Sequence, residues 1–233
     1  MRAILPAAGR GTRMASVTGG RAKEALPLAR LSVLGRVLLE CRIAGSDVTI
    51  VWARGKGPVP YSSEYVPHVV YQPEPRGLGE AVRRGLGDED AVLVALPDVV
   101  FPGRGPLDRL VSALDAGADF AVAVEAITPE RAHLYGIAEI AGEEDWRIER
   151  LVEKPAPGET MSLWAVAARF ALGPLAVRTL REWPEPEFGL TEVLEAVLEA
   201  GGIGLAVPLF PNEIRYDCGS PEGYAAAREV WGP

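Results

Sequence analysis

Six short constellations in this chain set anion-binding, metal-binding or hydroxyl-binding side chains beside turns. The first is AAGRGTRM at 7–14, directly after an apolar run. Its glycines let backbone N–H groups approach a phosphate closely, and Arg13 can grip phosphate oxygens with two parallel bonds. Lys23, in AKEALPL (22–28), lies ten residues beyond Arg13, near enough to reach the same phosphates from a folded-back loop. Gln72 opens QPEPRGLGEAV (72–82). Its amide offers a donor and an acceptor to a base edge, and Gly77 and Gly79 leave room for a flat ring. The same stretch equally reads as a turn and a helix start. Asp98 closes the apolar run AVLVALPD (91–98), where ligands of open α/β sheets bind, and an acid there is a natural Mg²⁺ ligand. Asp217, in RYDCG (215–219), is a second acid able to share that ion. In LVEKP (151–155), Lys154 can neutralise a second phosphate and Glu153 can accept hydroxyls from a sugar.

These residues need a scaffold that brings them together. Residues 2–8 form a buried strand running into the glycine loop, and 33–44 have helical spacing. Strands follow at 47–53 and 68–72, a helix at 77–86, a strand at 91–98, a helix at 107–117 and a strand at 119–127. Such alternation implies a mostly parallel sheet. Beyond 128, YGIAEI, WRIERLVE and MSLWAVAARFAL read as strands, LAVRTLREW and LTEVLEAVLEAGG as helices, IGLAVPLF and EIRYDCG as strands, and PEGYAAAREVW as a closing helix. The proline-rich pieces at 58–60, 73–75 and 184–186 read as turns. The expectation is one mixed α/β domain over 1–233, with a nucleotide-binding half at about 1–127 and a covering half at about 128–233.

Composition narrows the partners. The net charge is −8, which argues against nucleic acid, whose partners carry a basic face. From Arg10 to Lys23 there are nevertheless four cations and no acid, a local island suited to phosphates. No apolar run approaches the roughly 18 residues that span a membrane, and MRAILPAAGRG turns glycine-rich too soon for a signal peptide, so a cytoplasmic location is expected. Cys41 and Cys218 lie far apart, and Cys41 sits in an apolar helical pattern as a small core residue. The chain has one glutamine, one asparagine and three lysines, Lys23, Lys56 and Lys154. Scarce Asn, Gln, Cys and Met is a trend of thermophilic proteins. Where lysine is discarded so widely, a retained lysine invites a chemical explanation. A dinucleotide-binding G-x-G-x-x-G is only half present, since position 14 is Met14, and Glu40 is the only acid near the expected place. That disfavours hydride transfer. G-x-x-x-x-G-K-[ST] is absent too.

Taken in order, A-G-x-G-T-R-M, K-E-x-L-P-L, Q-x-x-x-x-G-L-G-x-A-V, L-P-D, Y-G-I, V-E-K-P, L-T-E and Y-D-C-G closely resemble the bacterial UTP–glucose-1-phosphate uridylyltransferases, and more loosely the wider sugar nucleotidyltransferases. The resemblance runs from Ile4 to Ala227. It implies a Rossmann-like three-layer fold and transfer of UMP from UTP to glucose 1-phosphate, with Mg²⁺ as cofactor. It implies that Ala8, Gly9, Gly11, Thr12 and Arg13 bind the triphosphate, Lys23 the reacting phosphate, and Gln72 and Gly77 the base. Gly136, Glu153 and Lys154 would hold the sugar phosphate, and Asp98 and Asp217 the metal. A homo-oligomer is a further expectation. The chain departs from those enzymes at Ala22, where they have proline, in the short segment between Trp52 and Gln72, and in its short run after Tyr224. Two alternatives stand beside this reading: thymidylyl or other nucleotidyl transfer to a different sugar 1-phosphate, and a nucleotide-sugar sensor without turnover.

Overall fold

A computed structural model describes residues 1–61 and 66–232. Residues 62–65 of the short segment between Trp52 and Gln72 lie outside the described residues. In chain order the elements are β1 (Arg2–Ala7), α1 (Ala15–Thr18), β2 (Pro27–Leu28), β3 (Leu31–Ser32), α2 (Val33–Ile43), β4 (Val48–Ala53), β5 (His68–Gln72), α3 (Gly77–Gly85), β6 (Val92–Ala95), β7 (Val99–Val100), α4 (Leu107–Asp115) and β8 (Phe120–Ala126). The second half adds β9 (Gly136–Ile140), β10 (Ile148–Glu153), β11 (Trp164–Leu172), α5 (Pro174–Glu182), α6 (Leu190–Glu199), β12 (Gly204–Pro208), β13 (Tyr216–Asp217) and α7 (Pro221–Trp231).

A nine-stranded mixed sheet runs β10-β9-β11-β6-β1-β4-β5, with β8 on the other edge of β11 and β12 beside β8. β5, β4, β1 and β6 are parallel neighbours. β11 runs against β6, β8 and β9, and β10 runs against β9. With β12 parallel to β8, every strand except β10 and β11 points the same way, so the sheet is mixed and mostly parallel. Strand alternation sorts the core into two layers. Ala3, Leu5 and Ala7 of β1 face α2, α4 and α7, while Ile4 faces α3, α5 and α6. Apolar side chains cover both faces because a parallel sheet is sandwiched between helices. The result is the expected three-layer α/β fold.

Local chemistry sets several boundaries. Ser32 caps α2 by accepting from the Gly35 N–H at 3.0 Å, and Ser220 caps α7 by accepting from Gly223 at 3.1 Å. Pro174 and Pro221 open α5 and α7, where a missing N–H costs nothing. The ladder of β6 stops at Ala95, short of the expected 91–98. Leu96 still donates its N–H to the Ala168 carbonyl of the opposing strand (3.1 Å), but Pro97 has no N–H to continue the ladder. Asp98 therefore sits in a turn between β6 and β7. Only Tyr216 and Asp217 of the expected 213–219 strand are extended, paired with β7. Among the described residues no helix is long and apolar enough to cross a membrane.

Candidate active site

The phosphate-binding loop leaves the C-terminal end of β1. Ala8 is buried, Gly11 adopts the left-handed conformation (φ 64°), and Thr12–Met14 form a 3₁₀ turn. Met14 is fully buried, so it pins the turn to the core and leaves Arg13 free to face outward. The loop lies against the Lys23 segment, since a Cβ on Gly11 would stand 3.5 Å from the Lys23 Cδ. Lys23 sits in its own 3₁₀ turn, Lys23–Ala25, held by buried Leu26 and Leu28. Its ammonium donates directly to the Asp98 carboxylate, a contact between two largely buried groups.

Asp98 and Asp217 come together through a two-stranded ribbon. Asp217 of β13 pairs with Val99 of β7, and the Cys218 N–H donates to the Asp98 carbonyl at 2.8 Å. Gly219 then marks the meeting point. A Cβ there would lie 2.8 Å from Asp217 Oδ1, 2.9 Å from Asp98 Oδ2 and 3.4 Å from Arg13 Nη2. Two carboxylates and a guanidinium thus surround one small volume, with Lys23 on the Asp98 side. Burial would raise the Asp98 pKa, but Lys23, the residue's own backbone N–H and then Arg13 outweigh it and hold the carboxyl below its usual range. Burial would likewise lower the Lys23 pKa, and Asp98, with Glu24 and Asp217, reverses that and raises it. Both groups stay charged, the condition for handling phosphates by electrostatics.

No group of three or more metal-ligating side chains occurs among the described residues. Two carboxylates fit a hard divalent cation that takes its remaining oxygens from water and substrate phosphates, and do not fit an all-protein cage.

A cavity of about 220 Å³ opens beside this centre, lined by Asp98, Asp217, Gly136, Glu153, Lys154 and Thr191. Gly136 opens β9 opposite Glu153 of β10. A Cβ on it would lie 3.2 Å from Glu153 Oε2, so the glycine keeps that carboxylate accessible. Thr191 donates to Glu153 Oε2 at 2.9 Å, and the Lys154 ammonium stands 3.9 Å from Glu153 Oε1 in an exposed pair. Lys154 holds a left-handed backbone (φ 47°) and donates its N–H to the Tyr135 carbonyl at 3.0 Å. A larger cavity of about 910 Å³ adjoins, and Arg13, Tyr135, Arg215 and Asp217 line both.

Gln72 and Gly77 are placed differently. Gln72 ends β5 with its side chain buried, donating its amide to the Glu80 carboxylate. Gly77 has φ 87°, and a Cβ on it would meet the Phe188 carbonyl oxygen at 2.1 Å. Gly79 packs equally tightly on the Phe188 ring. Contact with Phe188 therefore accounts for both glycines. Leu78 between them lines the smaller cavity, so the start of α3 still borders the site.

The structure adds residues that sequence reasoning missed. Arg169 is fully buried and makes a double ion pair with Glu40 at 2.9 and 2.6 Å. It also donates to the carbonyls of Leu96 (3.3 Å) and Val99 (2.8 Å), on either side of Asp98. Its position depends on an irregularity in β11 between Val166 and Phe170, where Ala168 is left-handed (φ 62°). Arg215, almost fully buried, pairs with Glu125 and stands 4.5 Å from the Tyr135 ring. An arginine inside the apolar run WAVAARFAL was the available signal for Arg169, because a buried guanidinium demands an acid.

Cations and carboxylates gathered over the strand ends of a mixed α/β sheet, beside a glycine loop, define a protein that works on nucleoside triphosphates. Residues 3–199 match the MobA-like NTP transferase domain, and the chain belongs to that family. A UTP–glucose-1-phosphate uridylyltransferase of Pseudomonas aeruginosa is 27% identical over 263 residues, covering 97% of this chain and 94% of that protein. The UTP-bound UGPase from Acinetobacter baumannii superposes with a TM-score of 0.85 at 25% identity, covering 100% of this chain and 93% of that one. A UDP-glucose pyrophosphorylase complexed with UDP-glucose gives 0.81 at 26% identity, covering 99% and 97%.

Proposed function

We propose that this protein joins UTP and glucose 1-phosphate to give UDP-glucose and pyrophosphate. The observation that carries the chemistry is the convergence of Arg13, Asp98 and Asp217 around Gly219, with Lys23 on Asp98, beside the cavity lined by Glu153 and Lys154. The choice of substrates rests on the related uridylyltransferases and on the UTP and UDP-glucose complexes of similar fold.

A phosphate oxygen of the sugar phosphate attacks the α-phosphorus in line. The new P–O bond forms as the α–β bridge breaks, and pyrophosphate leaves with the bonding electron pair. Both reactants are anions, so the protein's task is to neutralise and align them, and no side-chain nucleophile is needed. The backbone of residues 8–12 and Arg13 hold the triphosphate, and Arg13 stabilises the leaving group. Lys23 holds the reacting phosphate, and Lys154 steadies the attacking one. Glu153, fixed by Thr191, accepts sugar hydroxyls across Gly136. Gln72 and the start of α3 hold the base, with the Gln72 amide released from Glu80 or its carbonyl used instead. Asp98 and Asp217 hold Mg²⁺, which supplies charge neutralisation at the phosphates. In this division residues of about 1–127 serve the nucleotide and those of about 128–233 the sugar phosphate.

The test is a pyrophosphate-release screen of UTP, dTTP, CTP and GTP against a panel of sugar 1-phosphates. UTP with glucose 1-phosphate is expected to give the highest kcat/KM. A faster pair overturns the substrate assignment, and tight binding with no release from any pair overturns the transferase reading.

A further inference from the structure

Two of the chain's three lysines, Lys23 and Lys154, belong to the site described above; the third, Lys56, follows β4 in a turn with no recognisable motif. Its ammonium donates to the Ala7 carbonyl at 2.6 Å and to Glu24 Oε1 at 2.8 Å, and stands 4.7 Å from the Trp52 ring centroid. Glu24 is only 1% exposed, and its other oxygen, Oε2, is buried without a hydrogen-bond partner. A half-satisfied buried carboxylate is costly to keep, so this pair is poor evidence of a stability device. What it does is geometric. Ala7 is the last residue of β1 and leads into the phosphate loop, while Glu24 is the neighbour of Lys23 in the same 3₁₀ turn.

We propose that Lys56 is a positioning residue: one ammonium ties the exit of β1 to the Lys23 turn, and thereby fixes Lys23 relative to the loop carrying Arg13. Lys56 touches no substrate and acts through Glu24. The Lys23 turn folds back against the loop, where the Gly11–Lys23 approach is a side-chain contact. Without the tie, the Lys23 ammonium keeps only its contact with Asp98, and its turn keeps only the packing of Leu26 and Leu28. The effect on activity rests on the function proposed above; the effect on Lys23 does not.

Two measurements test it. The first is a double-mutant cycle on pyrophosphate release with Lys23→Met, Lys56→Met and both together. A misplacement of about 1 Å at a reacting group costs on the order of 100-fold, so Lys56→Met is expected to lower kcat by roughly 10- to 100-fold with KM nearly unchanged. In the Lys23→Met background it should cost less than about 2-fold. An equal loss in both backgrounds, a loss confined to KM, or no loss overturns the proposal. The second needs no activity. With only three lysines in the chain, lysine side-chain NMR resolves each ammonium. Lys56→Met should move the Lys23 signal and leave exposed Lys154 in place; an unmoved Lys23 signal overturns the tie. If Lys56→Met does not fold, Lys56→Arg keeps the charge against Glu24 but replaces the compact ammonium, and is read in the same two ways. A parent protein inactive on every substrate pair would remove the function reading and leave the NMR comparison to decide the role of Lys56.

Discussion

Replacing Gly219 with alanine tests whether the two carboxylates and Arg13 form one working centre. Gly219 does not use the left-handed backbone region, so alanine meets no conformational penalty and the only obstacle is its neighbours. The new methyl would stand 2.8 Å from Asp217 Oδ1 and 2.9 Å from Asp98 Oδ2. Ordinary contact begins at 3.4 Å, so the two oxygens must retreat by about 0.6 and 0.5 Å, while Arg13 Nη2 at 3.4 Å need not move. Carboxylates can rotate, which keeps the stability cost near the low end for overpacking, about 1 kcal/mol, or a Tm lower by roughly 2–4 °C. Function tolerates less. Groups at a reaction centre must hold to within about 0.5 Å, and a 1 Å error costs on the order of 100-fold. Both carboxylate oxygens move at once, and Asp98 also loses its seat against Lys23. The expected result is a kcat lower by roughly 10- to 100-fold with a raised Mg²⁺ requirement, read by pyrophosphate release across a Mg²⁺ titration alongside a thermal melt. A Gly219→Ala protein with kcat within about 2-fold of the parent and an unchanged Mg²⁺ dependence would refute the placement of the reacting phosphates at this point.

Two further outcomes follow from buried charge. Arg169→Met leaves Glu40 unpaired in the core and should cost about 3–5 kcal/mol by denaturant unfolding, whereas Arg169→Met with Glu40→Met should recover most of it. Equal destabilisation by the single and double variants would show that the pair does not interact as drawn. Burial raises the Glu195 pKa above its ordinary 4.5, against the opposing hydrogen bond from the Leu151 N–H. Between 4.5 and the raised value the folded protein keeps a proton that the unfolded chain has lost, so stability falls as pH rises through that window. Glu195→Gln keeps the acceptor for Leu151 and does not titrate; its Tm should gain on the parent from about pH 4.5 upward, and a constant difference from pH 4 to 8 would contradict this.

The parts of the fold that sequence reasoning reached are those with a period. The run at 2–8 became β1, and the helical spacings at 33–44, 107–117 and 190–202 became α2, α4 and α6 within a residue or three at each end. The ribbon of β7 and β13 had no period to show, because each strand is two residues long and exists only by pairing with the other. Asp98 was recognisable as a strand-end acid, but the strand was drawn too long because Leu96 and Pro97 look apolar. What ends the ladder is Pro97, which has no N–H to carry it past the Leu96 bond to Ala168 of β11.

The same division runs through the site. The structure brings Arg13, Lys23, Asp98, Asp217, Glu153 and Lys154 to one place, and each sits in its own short motif, with the turn that aims it encoded alongside. Arg169 and Glu40, 129 positions apart, were not read as a pair, yet each left a mark. Arg169 interrupts the apolar run WAVAARFAL, and Glu40 interrupts VLLEC on a helix whose neighbours Val37, Leu38 and Cys41 are buried. Each is a charge where the pattern demands none, and the desolvation cost of either alone requires the other. Two opposite violations of burial in otherwise clean elements therefore predict their own contact. Lys56 was marked only as a retained lysine and Glu24 only as part of K-E-x-L-P-L, and nothing in either pointed to the other, since both lie in turns where charge is ordinary. A support of that kind becomes visible only once the chain has closed around it and the carboxylate has been found buried.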